Sequence, residues 1–349
     1  MKTPDLRKFD DFTAPDSWNI IKTFDTHTEG EPLRIYTCGY PEIKGDTILQ
    51  RRKFFKEKFD HLRTALMFEP RGHADMYGCI ITPPVSSEAD FGVIFLHNEG
   101  YSTMCGHAII ALTKVVLETG MLESTEPETI VRIDSPAGLI TSYAKIENNK
   151  VKSVYFNNVP SFVFIKERAI TVPGIGEIKF DIAFGGAFYA FVKAEDAKIR
   201  MLPENSTELI LKGMLIKNEI MNSYKIIHPF EKDLNFLYGT IFYGSPLSKN
   251  ADSRNVCIFA EGELDRSPTG TGVSARLALH YDKGEMGLKD EIIVESILGT
   301  KFTGRIKELT KFGSYNALVP QIEGTAYITG RHEFFIDPSD PLKDGFILR

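Results

Sequence analysis

The chain is poor in cysteine and tryptophan, with four Cys and one Trp among 349 residues. Cysteines this sparse cannot form a disulfide framework, which excludes the small stapled scaffolds of secreted proteins. No stretch approaches the ~18 consecutive apolar residues that a membrane-spanning helix requires, so no membrane partner is expected. The first residues, MKTPDLRKFDDFTAPDSW, hold no apolar run that could serve as a signal-peptide core. Without such a signal, the glycosylation pattern at Asn205-Ser206-Thr207 carries no weight. These absences lead us to expect a cytoplasmic protein with free thiols. An excess of positive charge is missing as well: 41 Lys and Arg stand against 47 Asp and Glu, a net −6. That sign is wrong for neutralising phosphates and excludes a general nucleic-acid binder.

Apolar residues are present in quantity. They make up 42% of the chain, enough to exclude disorder, and the length allows one large core or two ordinary ones. Residues 1–18 read as a polar lead-in. From Trp18 the pattern turns β-like around a Gly/Glu/Pro cluster at 30–32. Residues 47–67 space Ile48, Phe55, Phe59, Leu62 and Leu66 as a helix does, with charge between. Residues 106–119 predict a second helix stopped by Gly120, and 203–223 a third. A glycine-punctuated helix entry occupies 265–280. Short strands are predicted between these elements, including 130–133, 139–143, 151–156, 161–165, 226–230, 238–243, 255–260, 291–297, 302–308 and 325–336. Gly174-Ile175-Gly176 lacks the third glycine of a dinucleotide fingerprint. Gly185-Gly186 either pinches a strand or turns between two units. Strands alternating with few helices, without regular βαβ spacing, predict α+β architecture with mixed sheets rather than a doubly wound parallel sheet.

Two segments correspond. Residues 99–119 read EGYSTMCGHAIIALTKVVLET and residues 261–281 read EGELDRSPTGTGVSARLALHY, so that Cys105-Gly106-His107 overlays Thr269-Gly270-Thr271. Two copies of one unit would make a pseudo-twofold protein, although loop-Gly-helix junctions are common enough to overlap by chance. Each junction offers free backbone N–H groups at a helix N-terminus, a natural anion site. Two such ends facing each other would clamp a carboxylate, and Gly106 and Gly270 would let it approach the backbone. Cys105 stands just before its helix, where the field favours thiolate, and its pKa is expected below the usual ~8.5. A thiolate beside a bound carboxylate can abstract an α-proton. Cys38, Cys79 and Cys257 lie in strand-like runs and read as packing residues. A cysteine-peptidase reading needs a base at the sulfur, and His107, two residues away, would point to another face if both were helical. A zinc site at Cys105 and His107 lacks further ligands at recognisable spacing. No metal or cofactor is expected.

Five blocks closely resemble the proline racemase family, in its order. They are Asp25-Thr26-His27-Thr28-Glu29-Gly30-Glu31-Pro32, Glu69 through Gly78 (EPRGHADMYG), Met104-Cys105-Gly106-His107, Asp181 through Gly186 (DIAFGG), and Asp265 through Gly272 (DRSPTGTG). The resemblance runs from about residue 21 to about residue 346. It implies a diaminopimelate-epimerase-like fold: two pseudosymmetric lobes of mixed sheet, each around a central helix, with the substrate in the cleft between them. On that division 19–184 is the N-terminal lobe carrying Cys105 and 185–324 the C-terminal lobe carrying Thr269. Residues 325–349 pack back on the N-terminal lobe. The resemblance also implies a homodimer without cofactor, acting on a small molecule, proline or hydroxyproline. Position by position, Gly106, His107, Gly270 and Thr271 match the carboxylate-binding positions, Asp265 the acid near the ring nitrogen, and Phe259 an aromatic wall. Racemases and epimerases of the family carry cysteine in both active-site blocks. Here the second position is Thr269, a pairing that resembles the family's trans-3-hydroxy-L-proline dehydratases, with Cys105 as base. Racemase or 2-epimerase activity, and non-catalytic binding of proline-like amino acids, stand as alternatives. His27, Glu31, His73 and Asp75 lie in family blocks, and the resemblance places none of them against substrate.

Overall fold

The computed structural model describes residues 5–9 and 11–348. Of the expected polar lead-in, residues 1–4 and 10 lie outside the described residues. Leu6–Phe9 forms one exposed 3-10 turn. Phe12 and Trp18 are not free of the body of the protein, because their rings pack 5.6 and 6.1 Å from that of Phe335.

The first half runs β1 (Asn19–Thr28), β2 (Glu31–Cys38), α1 (Ile48–Met67), β3 (Tyr77–Thr82), β4 (Phe91–His97), β5 (Gly100–Ser102), α2 (Gly106–Glu118), β6 (Glu128–Ser135), β7 (Gly138–Glu147), β8 (Lys150–Asn157) and β9 (Ser161–Val172). The second runs β10 (Gly176–Phe184), β11 (Phe188–Lys193), α3 (Ser206–Ser223), β12 (Leu237–Gly244), β13 (Ser253–Phe259), β14 (Glu263–Leu264), α4 (Gly270–Asp282), β15 (Glu291–Glu295), β16 (Lys301–Phe312), β17 (Tyr315–Gly324) and β18 (Ala326–Ile336). Strands dominate, the sheet is mixed and α-helices are few, as the patterning predicted.

The pairing order of the first half recurs in the second. β1–β2 is antiparallel, β2–β3 parallel across α1, β3–β4 and β4–β5 antiparallel, β4–β6 parallel across α2, and β6–β7–β8 antiparallel. β10–β11, β11–β12 across α3, β12–β13–β14, β13–β15 across α4 and β15–β16–β17 follow in the same senses. The last strand of each half pairs with the first strand of the other, β9 with β10 and β18 with β1. β8 and β9 also pair with β17. One continuous hydrogen-bonded network of 18 strands results.

Local chemistry explains the helices. Thr47 caps α1 by accepting the Gln50 N–H at 3.1 Å. The helix buries Ile48, Phe55, Leu62 and Leu66 at its expected spacing. α2 is buried from Gly106 through Leu117 and stops before Gly120, whose φ of +73° suits glycine. A helix buried on all sides needs its polar members satisfied: Lys114 Nζ donates to Glu118 at 2.6 Å and to the Val151 carbonyl at 3.0 Å.

The structure departs from the patterning at three places. Residues 226–230 form no strand; Ile226 and His228 are buried in an irregular stretch. β17 was not foreseen as a separate strand. Gly185-Gly186 makes the tight turn of the β10–β11 hairpin, so a boundary at 184/185 would split a hairpin. A Cβ on Gly185 would lie 2.2 Å from the Thr271 carbonyl, which is why the turn can press on the first turn of α4 only with glycine there. Among the described residues no helix is long and apolar enough to cross a membrane.

Candidate active site

The N-termini of α2 and α4 meet. A Cβ added to Gly106 would lie 3.7 Å from the Gly270 Cα, and the reverse distance is the same. The same added atom would sit 2.9 Å from the Phe156 ring, so the backbone at 106 is open only because it is glycine. The two helix ends therefore direct their first, unpaired N–H groups at one small space. All eight residues expected at the site, Cys105, Gly106, His107, Phe259, Asp265, Thr269, Gly270 and Thr271, line that space. Glu31, Tyr77, Met104, Tyr189 and Tyr238 complete it.

The two residues at the helix starts differ in conformation. Cys105 is extended, at φ −148° and ψ 108°. Thr269 sits at φ +66° and ψ 96°, a region that a β-branched residue enters only under constraint. The constraint is a local hydrogen-bonded loop. The Thr269 hydroxyl donates to Asp265 Oδ2 at 2.7 Å, the Thr269 N–H donates to the Ser267 hydroxyl at 3.1 Å, and the Ser267 N–H donates to Asp265 Oδ1 at 2.8 Å. Both oxygens of Asp265 are thus occupied, and the threonine hydroxyl is committed as a donor.

Cys105 and His107 are in contact, contrary to the expectation that they would diverge. Sγ lies 3.2 Å from His107 Nδ1. The reason is that Cys105 precedes the helix in extended conformation, so the helical spacing rule does not govern the pair. The expected depression of the Cys105 pKa is also overturned. Burial raises the thiol, the charge of Asp265 adds to the shift, and the approach of the Ala108 N–H and the Tyr77 hydroxyl offsets only part of it. The helix field is real, but removing the sulfur from water outweighs it. Burial likewise pushes His107 down to about 4, against the opposing influence of Asp265 and a backbone hydrogen bond at Pro32, so its imidazole is neutral.

Aromatic rings wall the cavity. Tyr77 packs edge-on against His107 at 4.8 Å between ring centres, and its hydroxyl meets Ser102 Oγ at 2.5 Å. Tyr189 bonds Thr271 Oγ1 at 2.7 Å, and Tyr238 packs 5.3 Å from Phe259. Tyr77 stands in the family block Glu69–Gly78 and Tyr189 three residues after the block Asp181–Gly186, whereas no sequence signal distinguishes Tyr238. Of the four unplaced block residues only Glu31 lines the cavity. His27 stacks on Tyr327 at 5.2 Å and accepts the Gly30 N–H. His73 is exposed; its ring lies against the Ala74 carbonyl. Asp75 pairs with Arg266 at 2.9 Å and braces the loop that carries Asp265. Cys79 and Cys257 are buried, but Cys38 is exposed at the end of β2, so it is not a packing residue. Among the described residues no three His, Cys, Asp or Glu side chains converge as a metal-binding group. A larger open cleft of about 560 Å³ is lined by Tyr243, Arg276 and His280, and does not reach Cys105.

Comparison with known proteins agrees with this geometry. Residues 23–347 match the family described as Proline racemase. A trans-3-hydroxy-L-proline dehydratase of Colwellia psychrerythraea is 50% identical over 96% of this chain and 94% of its own. A proline racemase of Acetoanaerobium sticklandii is 44% identical over 94% of this chain and 98% of its own. A crystal structure of a hydroxyproline epimerase from Agrobacterium vitis, with bound trans-4-hydroxy-L-proline, superposes with a TM-score of 0.87 at 32% identity, covering 96% of both chains.

Proposed function

The chain belongs to the proline racemase family, and within it we propose that this protein is a trans-3-hydroxy-L-proline dehydratase, a hydro-lyase. One observation carries the reading. The group facing the cavity opposite Cys105 is Thr269, and its hydroxyl is bound to Asp265 at 2.7 Å. A threonine hydroxyl is a far weaker acid than a thiol, and this one is held as a donor to Asp265, which faces the ring nitrogen rather than the α-carbon, so it does not serve as the second base of a racemisation. Dehydration needs only one base. In trans-3-hydroxy-L-proline the carboxylate and the 3-hydroxyl lie on opposite ring faces, so the α-hydrogen shares the hydroxyl's face.

The N–H groups at the starts of α2 and α4, from Gly106, His107, Gly270 and Thr271, hold the carboxylate and stabilise charge as the α-proton leaves. Asp265 faces the ring ammonium, and Phe259 packs on the ring. Cys105, as thiolate, takes the α-proton. The electrons of the Cα–H bond form the C2–C3 double bond, the C3–O bond breaks, and the same proton leaves with the hydroxide as water. The enamine then tautomerises to Δ1-pyrroline-2-carboxylate. The recurring strand order supports two lobes of related topology that exchange their last strands, with this cleft between them. The family resemblance supports a homodimer.

The relatives named proline racemase and hydroxyproline epimerase keep a second reading in view. Incubation with trans-3-hydroxy-L-proline and o-aminobenzaldehyde separates the two. The expected result is a coloured adduct of the cyclic imine. No imine, together with loss of optical rotation by L-proline, overturns the dehydratase reading.

A further inference from the structure

We propose that Glu31 is a positioning residue of this reaction: it holds a proton against Asp265, so that the two carboxyls face the substrate's ring nitrogen with a single negative charge. The inference rests on the function proposed above and concerns the same cavity. Glu31 opens β2 directly after the turn at Gly30, and only 1% of its surface is exposed. Its Oε2 accepts the Arg266 N–H at 2.7 Å. Its Oε1 is buried and receives no N–H or O–H hydrogen bond within the described protein. Asp265 lines the same small cavity, and the N–H that Glu31 holds belongs to the next residue in the chain, so the two carboxyls are neighbours there.

Two carboxylates cannot share so small a buried space without a cation or a proton to offset one of the charges. The nearby cation is turned away: the Arg266 guanidinium donates to the Leu264 carbonyl at 2.9 Å and pairs with Asp75 at 2.9 Å. A proton is left to offset the charge. Asp265, with a donor on each oxygen, is the partner equipped to carry charge, and Glu31, with one, is the partner that keeps the proton. Burial first, and the Asp265 charge second, push Glu31 well above the usual carboxylate range, in the same direction. The arrangement matches one ring ammonium with one negative charge. It also spares Cys105 a second carboxylate charge, which would make its thiolate harder to form.

Two measurements test this. Infrared difference spectra of the unliganded protein, wild type minus Glu31→Gln at neutral pH, should show a protonated-carboxyl band belonging to the wild type. This arm needs no turnover, so its result stands even if the dehydratase reading fails. In kinetics, Glu31→Ala should raise KM for trans-3-hydroxy-L-proline about tenfold or more, the scale of one charged hydrogen bond. Glu31→Gln should recover most of that KM, because its amide can donate to Asp265 while its oxygen accepts from Arg266. Absence of the band overturns the proposal. So does a folded Glu31→Gln as impaired in KM as Glu31→Ala, since a neutral donor would then not suffice.

Discussion

Replacing Thr269 by cysteine should convert a one-base site into a two-base site. The structural cost is small. The variant gives up a buried hydroxyl bond to Asp265 of 2.7 Å, and hydrogen bonds to charged groups contribute about 1.5–3 kcal/mol. It gains relief, because an unbranched side chain tolerates the φ of +66° better than threonine does. Net destabilisation should be about 1–2 kcal/mol, small enough for the variant to fold. The chemical effect is larger, since a positioned acid or base contributes about 10²–10⁴ in rate. The assay uses L-proline in deuterium oxide, which has no 3-hydroxyl to eliminate. Wild type should exchange the α-hydrogen slowly with retention, since Cys105 alone removes and returns the proton on one face. Thr269→Cys should yield α-deuterated D-proline at least ~100-fold faster than wild type. Comparable inversion by wild type would refute the reasoning, since something other than residue 269 would then be supplying the second proton. A folded variant that exchanges but never inverts would refute it too.

Cys105→Ser should lower imine formation by about 10² or more, with little change in melting temperature, because the substitution is nearly isosteric; activity within tenfold of wild type would remove Cys105 as the base. Asp25→Ala should cost about 3–5 kcal/mol in denaturant titration, because it strands a buried guanidinium. Asp25 holds Arg34 at 2.8 Å, and Arg34 also donates to the Leu66 and Arg71 carbonyls. A loss under 1 kcal/mol would contradict that account. Acid stability should report the buried histidines. Burial lowers His97 from 6.5 to about 4, with Arg63 adding to the effect. Between those values the unfolded chain binds the proton and the folded chain does not, so stability is present above pH 6.5 and lost as pH falls toward 4. The full effect is about 3 kcal/mol for this one group. Glu31 is shifted upward and acts in the opposite sense, so the clean comparison is wild type against His97→Gln. The variant's melting temperature should fall less steeply between pH 6.5 and 4, and parallel curves would show that His97 is not buried neutral.

Much of the fold was legible where periodicity and punctuation agree. The 47–67 pattern became α1 at Ile48–Met67, and 106–119 became α2 ending at Glu118 before Gly120, because an apolar face and a glycine stop are both local signals. The run near 226–230 looked like a strand, but its buried Ile226 packs in an irregular stretch after α3 and no neighbouring strand offers it a ladder. Strand formation depends on a distant partner, which no local window contains. The membership of the cavity was legible only through the correspondence of Cys105 with Thr269 and the family blocks. The contact between Cys105 and His107 was not, because a spacing argument assumes helix at both residues and the chain enters α2 extended. Tyr238 was not either, because nothing near it in sequence marks it as facing a ligand.

The raised thiol is the part of the site that local reasoning reversed, and it carries a consequence for the reaction. The helix end at Cys105 favours thiolate, but the field acts against burial of the sulfur and the charge of Asp265. The cavity in this state measures about 50 Å³, room for a few waters but not for a five-membered ring bearing a carboxylate. Substrate therefore enters only if the walls part. Parting them returns water to the sulfur and removes the leading cause of its raised pKa, while the field of α2 remains. The bound ammonium then sets a positive charge beside Asp265, which offsets the charge opposing the thiolate. Wider access to the sulfur and the bound ammonium therefore both favour the thiolate. Alkylation of Cys105 by iodoacetamide at neutral pH should accordingly be slow in the unliganded protein and should accelerate when mild denaturant loosens the cleft below the unfolding transition. Rapid alkylation of the fully native protein, with no such acceleration, would mean that the closed cavity does not govern the thiol.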